Sequence, residues 1–178
     1  MKKKKRDFES RFWSGTRKHT AMGLLETFFQ FNDLAPVKEA LTVMMQCSVQ
    51  KKMRITDHPA EVFQLHQSLR SLVRAGHLIS TKAKKLMANA PSESRFSKFT
   101  GLLSNEEYQN PVLVFQKAFE VCSLNEFEYF LASAVYFSLG KARCGQEKKI
   151  ILPYIQLMKM LEAAYLMTEH TLKKTRTG

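Results

Sequence analysis

Helix caps recur at the seams of this chain, and that constrains its fold more than any other feature. Wherever one apolar segment of helical period gives way to the next, a residue stands that starts or stops helices: Thr20, Asp33, Thr56 or Asp57 ahead of Pro59, Ser104, Ser123, Gly76 and Gly140. Ser104 with Glu107 and Ser123 with Glu126 have the offset of a capping box, in which a hydroxyl and a carboxylate satisfy each other's backbone amides. No segment alternates apolar and polar residues as a half-buried strand does, and only seven Gly and five Pro are available for turns. The chain is therefore expected to be all-α, a single-domain bundle of about six to eight helices. Its 178 residues, 44% hydrophobic with thirteen Phe, suffice for one core.

The seams predict the elements. One helix runs from Thr20 to about Phe31. A second runs from Asp33 to about Lys52, with Pro36 tolerated in its first turn, and the two are expected to pair antiparallel. The helix opened by Pro59 carries the stripe Val62, Leu65, Leu69, Leu72 and Val73 and is expected to close at Gly76, after which Ser80 or Thr81 starts a short basic helix. Pro91 to Ser94 reads as a loop. Pro111–Cys122 and Leu124–Leu139 are apolar on more than one face, as central helices are, and a long helix from Glu147 or Pro153 to Lys173 carries Tyr154, Leu157, Met158, Leu161, Tyr165 and Leu172. Residues 20–174 thus form the bundle, preceded by a flexible basic arm (1–19) and followed by a basic tail (175–178).

Charge is unevenly spread. Of the net +12, residues 1–20 carry +6, 51–85 carry +6 and 141–178 carry +5, whereas 21–50, 86–110 and 111–140 carry −2, −1 and −2. A field of that sign draws in polyanions: nucleic acid, anionic lipid or an acidic protein. The arm has Lys2, Lys3, Lys4, Lys5, Arg6, Arg11, Arg17 and Lys18 interleaved with Phe8, Phe12 and Trp13. Such cations neutralise phosphates with release of counterions, and the rings offer faces for bases to stack on. The same aromatics would insert between lipid headgroups, or fold back on the bundle and leave a solubilising tail. Arg70, Arg74, Lys82, Lys84 and Lys85 are the basic positions on helices that would add specificity if they share a face.

The start of the chain, Lys2 to Arg6, is not followed by an apolar run, since Asp7, Glu9 and Arg11 intervene, and Phe130–Leu139 is about half the roughly 20 residues of a membrane span. A cytoplasmic protein without a transmembrane segment is expected. Cys47, Cys122 and Cys144 are widely spaced and odd in number, which suits reduced thiols, buried in the case of Cys47 and Cys122, better than a disulfide framework. The histidines at 19, 58, 66, 77 and 170 pair neither with each other at helical spacing nor with the cysteines, so no metal site or cofactor is expected, and His66 reads as a satisfied histidine at the edge of the core. Glu106, Glu107, Glu126 and Glu128 read as helix caps rather than di-iron ligands.

Two local patterns carry resemblances. Ser68 to Ile79, with Arg and polar residues on one face and Gly76 near its end, resembles the end of a winged-helix recognition helix. That resemblance implies that Gln67, Arg70, Ser71 and Arg74 face a major groove, although an ordinary amphipathic helix closed by glycine has the same pattern. Arg70 and His77, six residues between them, resemble the arginine and histidine of HEPN ribonucleases, which implies acid–base chemistry on a ribose 2′-hydroxyl. No catalytic motif accompanies either. The expected function is non-enzymatic binding of DNA or RNA by the arm and the basic helices. The alternative is a helical protein-interaction module that meets an acidic or apolar partner through a Met- and aromatic-rich face at 154–172.

Overall fold

The computed structural model describes residues 9–15, 20–50, 53–55, 58–87, 101–140, 142 and 144–176, with the backbone alone at 9, 12, 83–87, 147–148 and 170–176. Among them are eight helices and no strand: α1 (Glu9–Ser14), α2 (Ala21–Phe31), α3 (Leu34–Val49), α4 (Pro59–Met87), α5 (Asn105–Gln109), α6 (Val112–Val121), α7 (Leu124–Leu139) and α8 (Glu147–Arg176). The bundle is all-α, as the caps predict. Thr20 accepts from Gly23 N–H at 3.0 Å, and both capping boxes close, Ser104 with Glu107 and Ser123 with Glu126. Gly140 ends α7 in extended conformation, where a Cβ would stand 2.7 Å from the Tyr136 carbonyl oxygen.

Two long helices frame the molecule. α4 has 29 residues and α8 has 30, and the shorter α2, α6 and α7 each pack against both. Their shared core holds Leu24, Leu25, Phe28, Leu69, Leu72, Phe115, Phe127, Phe130, Leu157 and Leu161, all at most 2% exposed. Filling of this kind excludes water from the helix seams and supplies most of the stability that marginal helical propensity does not.

Gly76 does not end a helix. α4 runs through it to Met87, so the expected break there and the separate basic helix from Ser80 are both replaced by one continuous helix. The glycine is present because α6 and α8 come close: a Cβ at 76 would lie 2.8 Å from Phe115 Cδ1 and 3.3 Å from Met160 Sδ. The α2–α3 pair also differs from expectation. Asn32 and Asp33 are both extended, and the two helices pack mainly on other neighbours, α2 on α4 and α8 and α3 on α7 and α8.

Part of the N-terminal region is anchored. Trp13 of α1 is 6% exposed, donates from Nε1 to Ser71 Oγ at 3.1 Å, and packs edge-on against Phe28 and Phe31. Gly15 closes α1 at φ +70°, a left-handed conformation in which other residues are strained. The loop expected at 91–94 lies outside the described residues.

Two ion-pair clusters bolt α8 to its neighbours. The buried Glu162 accepts from Lys38 Nζ of α3 and from the Leu102 amide at 2.7 Å. Lys159 donates to Glu107 of α5 at 2.9 Å, and Lys117 of α6 lies 3.7 Å from the same carboxylate. Lys149–Glu169 of α8 is long and apolar enough to cross a membrane, at a mean hydropathy of 1.3, yet just over half of its apolar window is buried in the bundle and it carries these two paired charges. That is the pattern of a core helix.

Candidate functional site

A stripe of polar side chains runs along one side of α4. His66, Arg70, Arg74 and His77 follow each other at i+4, i+4 and i+3, the spacing that stacks residues on one helical face. Arg70 and Arg74 therefore do share a face, and a single carboxylate from α7 lies between them: Glu128 accepts from Arg70 at 2.8 Å and from Arg74 Nη2 and Nε at 2.9 and 3.1 Å. All three side chains are between 23% and 31% exposed. Burial acting alone would raise the Glu128 carboxyl, but the hydrogen bonds from Arg70 and Arg74, with their charges, outweigh it and hold the group below the usual carboxylate range.

The expected capping role is thus correct for Glu107 and Glu126 and wrong for the other two carboxylates. Glu106 pairs with Lys117 at 3.1 Å, and Glu128 clamps the two arginines. Sequence reading missed Glu128 as a partner because it stands 58 and 54 residues from them.

Two half-buried histidines flank the arginines. His66 is lowered from its ordinary value first by burial and then by the Arg70 charge, against a smaller opposite pull from Glu128, and its Nδ1 is buried without a hydrogen-bond partner. It is therefore not the satisfied histidine expected. His77 packs edge-on against Phe119 at 5.0 Å, and its Nδ1 likewise has no partner. With α4 unbroken, Arg70 and His77 sit seven residues apart, about 10 Å along the helix axis. The Arg70 guanidinium donates to Glu128 and the His77 imidazole packs on Phe119.

The other basic positions divide in two. Arg11 and Lys82 are described and exposed. Lys2, Lys3, Lys4, Lys5, Arg6, Arg17 and Lys18 lie outside the described residues, and Lys84 and Lys85 belong to the last turns of α4 with their side chains undescribed. Counted over the described side chains, nine Lys and Arg stand against eleven Asp and Glu. The side chains of the remaining nineteen basic and five acidic residues of the chain are outside that count.

Among the described residues no cluster of His, Cys, Asp and Glu could hold a metal ion. All three cysteines are free and buried, and burial pushes the Cys47 and Cys122 thiols up, away from reactivity.

Two surface features went unforeseen in their actual places. The middle of α8 is core, with Leu157, Met160, Leu161, Ala163 and Ala164 fully buried, so among the described side chains of 154–169 there is no broad apolar face. Exposed apolar side chains stand at the start of α8, on Ile151, Leu152 and Ile155, and on α7 at Tyr129 and Tyr136, each 40–66% exposed, with others such as Phe31 and Phe63 elsewhere on the surface. Leu152 and Tyr129 line a shared cleft of about 480 Å³. A second, larger hollow of about 630 Å³ opens between α3 and the first turns of α4. No family model matches this chain, and neither a curated protein nor a solved structure matches it.

Proposed function

We propose that this protein is a non-enzymatic helical module that binds a polyanion, of the DNA or RNA type, through its basic segments while the bundle acts as their platform. One observation supports the reading above others: the net charge of +12 is concentrated in residues 1–20, 51–85 and 141–178, and Arg11 and Lys82, members of the first two blocks, are exposed. The contact set is led by Lys2, Lys3, Lys4, Lys5, Arg6, Arg17 and Lys18, joined by Arg11 on α1 and by Lys82, Lys84 and Lys85 at the end of α4. Arg70 and Arg74 drop to a supporting part, since Glu128 engages both and offsets one of their two charges. Little sequence readout follows from such contacts, which meet phosphate rather than base edges.

The test is fluorescence anisotropy of labelled single-stranded RNA, single-stranded DNA and duplex DNA over a salt series, with the intact protein and with Lys2–Arg6 replaced by serine. Trp13 is buried, so truncation at residue 20 would injure the core and is avoided. If all five arm cations meet phosphates, their loss flattens the slope of log K against log salt by about 4. Absence of salt-sensitive binding at low salt overturns the reading.

A second reading, a protein-interaction module, is favoured by the exposed Tyr129, Tyr136, Ile151, Leu152 and Ile155. Large exposed apolar groups gathered on neighbouring helices mark contact surfaces. Its signature is a partner whose capture survives the serine arm and moderate salt but is lost on Tyr129→Ser with Leu152→Ser.

A further inference from the structure

The hollow between α3 and α4 differs in kind from the basic segments. Its floor is apolar: Val37 and Met44 from α3 and Val62 from α4 are buried, with Ala40, Val43 and Leu65 half-buried beside them. It exists because the two helices pack on other neighbours, α3 on α7 and α8, and α4 on α1, α2, α6 and α7. Its rim is acidic. Asp33, Glu39 and Glu61 are exposed, and none is ion-paired with a lysine or arginine; only His58 Nδ1 comes within 4.0 Å of Glu61. That absence is one among the described residues, where by contrast Glu106, Glu107, Glu128 and Glu162 are all matched to lysines or arginines.

From the apolar floor and the acidic rim together we infer that this groove docks a basic amphipathic helix presented by a protein partner. The lining residues of α3 run from Asp33 to Met44, about 16 Å or three turns, so a helix laid alongside would set apolar side chains at i, i+3, i+4 and i+7 on the floor. Lysines and arginines flanking that stripe would meet the three carboxylates. Nucleic acid and anionic lipid are disfavoured here by the same carboxylates, which repel phosphate. Complementarity of this sort selects partner and register, and it is the reverse of the polarity that the whole chain's charge suggests. The inference is independent of polyanion binding elsewhere on the molecule.

The experiment uses the full chain and a fluorescein-labelled 14-residue Leu/Lys peptide with its leucines at helical spacing. A scrambled peptide of the same composition and a Leu/Glu peptide of the same pattern serve as comparisons. The expected result is binding of the patterned Leu/Lys peptide, with at least about tenfold weaker binding of the scramble and none of the Leu/Glu peptide. Glu39→Lys with Glu61→Lys should weaken binding at least about tenfold, since exposed attractions become repulsions. Ala40→Arg, which fills the groove from a half-exposed position, should abolish it. Glu26→Lys with Glu120→Lys makes the same charge change away from the groove and should leave binding intact. Circular dichroism melts confirm that each variant is folded. The inference is overturned if the peptide does not bind, if the remote pair weakens it as much as the rim pair, or if Ala40→Arg has no effect. It is equally overturned if sedimentation shows the protein dimeric and Ala40→Arg makes it monomeric, because the occupant is then a second copy.

Discussion

Gly76→Ala is expected to lower stability, although alanine is the better helix former. In an exposed helix interior the exchange gains about 1 kcal/mol. At position 76 the added methyl would stand 2.8 and 3.1 Å from Phe115 Cδ1 and Cε1 and 3.3 Å from Met160 Sδ. Phe115 and Met160 are fully buried, so the ring must be displaced within close-packed surroundings. Overpacking of this sort costs about 1–3 kcal/mol, which leaves a net loss of about 1 kcal/mol and, for a domain of this size, a Tm lower by about 2–4 °C. A helix that ended at Gly76 would also lose stability on this change, so the single variant is insufficient. Phe115→Leu supplies the second edge of a double-mutant cycle. Measured by urea unfolding followed at 222 nm, it should be less costly in the Gly76→Ala background than alone, with a coupling of at least about 0.5 kcal/mol. A stabilised Gly76→Ala protein, or two effects additive within about 0.3 kcal/mol, would refute the packing of α4 against α6 at this point.

Glu128→Gln leaves two guanidinium groups one turn apart without their shared anion and should cost about 2 kcal/mol, read as a lower urea midpoint at pH 7. Glu107 is also held below the usual carboxylate range: burial pushes it up, but the Ser104 amide and Lys159 outweigh that. Carboxylates depressed in the folded state stabilise it fully above their unfolded pKa of about 4.3 and lose that contribution as pH falls through the lower folded value. Urea midpoints should therefore drop between about pH 5 and 3, and the Glu107→Gln/Glu128→Gln protein should show a flatter ramp from a lower start. Ser104→Ala removes one half of a capping box and should cost about 1 kcal/mol by the same assay. His58 has φ +54°, a conformation costing an L-residue about 1–2 kcal/mol, so His58→Gly should raise Tm by a degree or two after the entropy gained by the unfolded chain is subtracted.

What the sequence made legible was local. Ser104 with Glu107 and Ser123 with Glu126 read correctly because a capping box is closed by residues three apart, and Thr20 for the same reason. Gly76 read wrongly because a glycine that ends a helix and a glycine that admits a neighbouring ring look alike until Phe115, 39 residues on, is in place. The α2–α3 pair failed similarly. A short connection suggests that the two helices pack on each other, yet the choice of packing partner rests with α4, α7 and α8.

Charge shows the same division between local and distant. A count along residues 51–85 gives Arg70, Arg74 and Lys82 equal standing, but Glu128 from α7 engages the first two and offsets half of their charge, while the third is exposed. The converse holds at 33–61, where Asp33, Glu39 and Glu61 are diluted in sequence by Lys38, Lys51, Lys52 and Arg54. In space Lys38 turns to Glu162 and the three carboxylates line one opening. A net charge of +12 concentrated in three blocks of the sequence leaves the stretches between them neutral to slightly acidic, where like-charge repulsion is weaker. It also frees an acidic rim to persist on a basic chain, and a surface of opposite sign to its surroundings discriminates between partners by electrostatics before any contact is made.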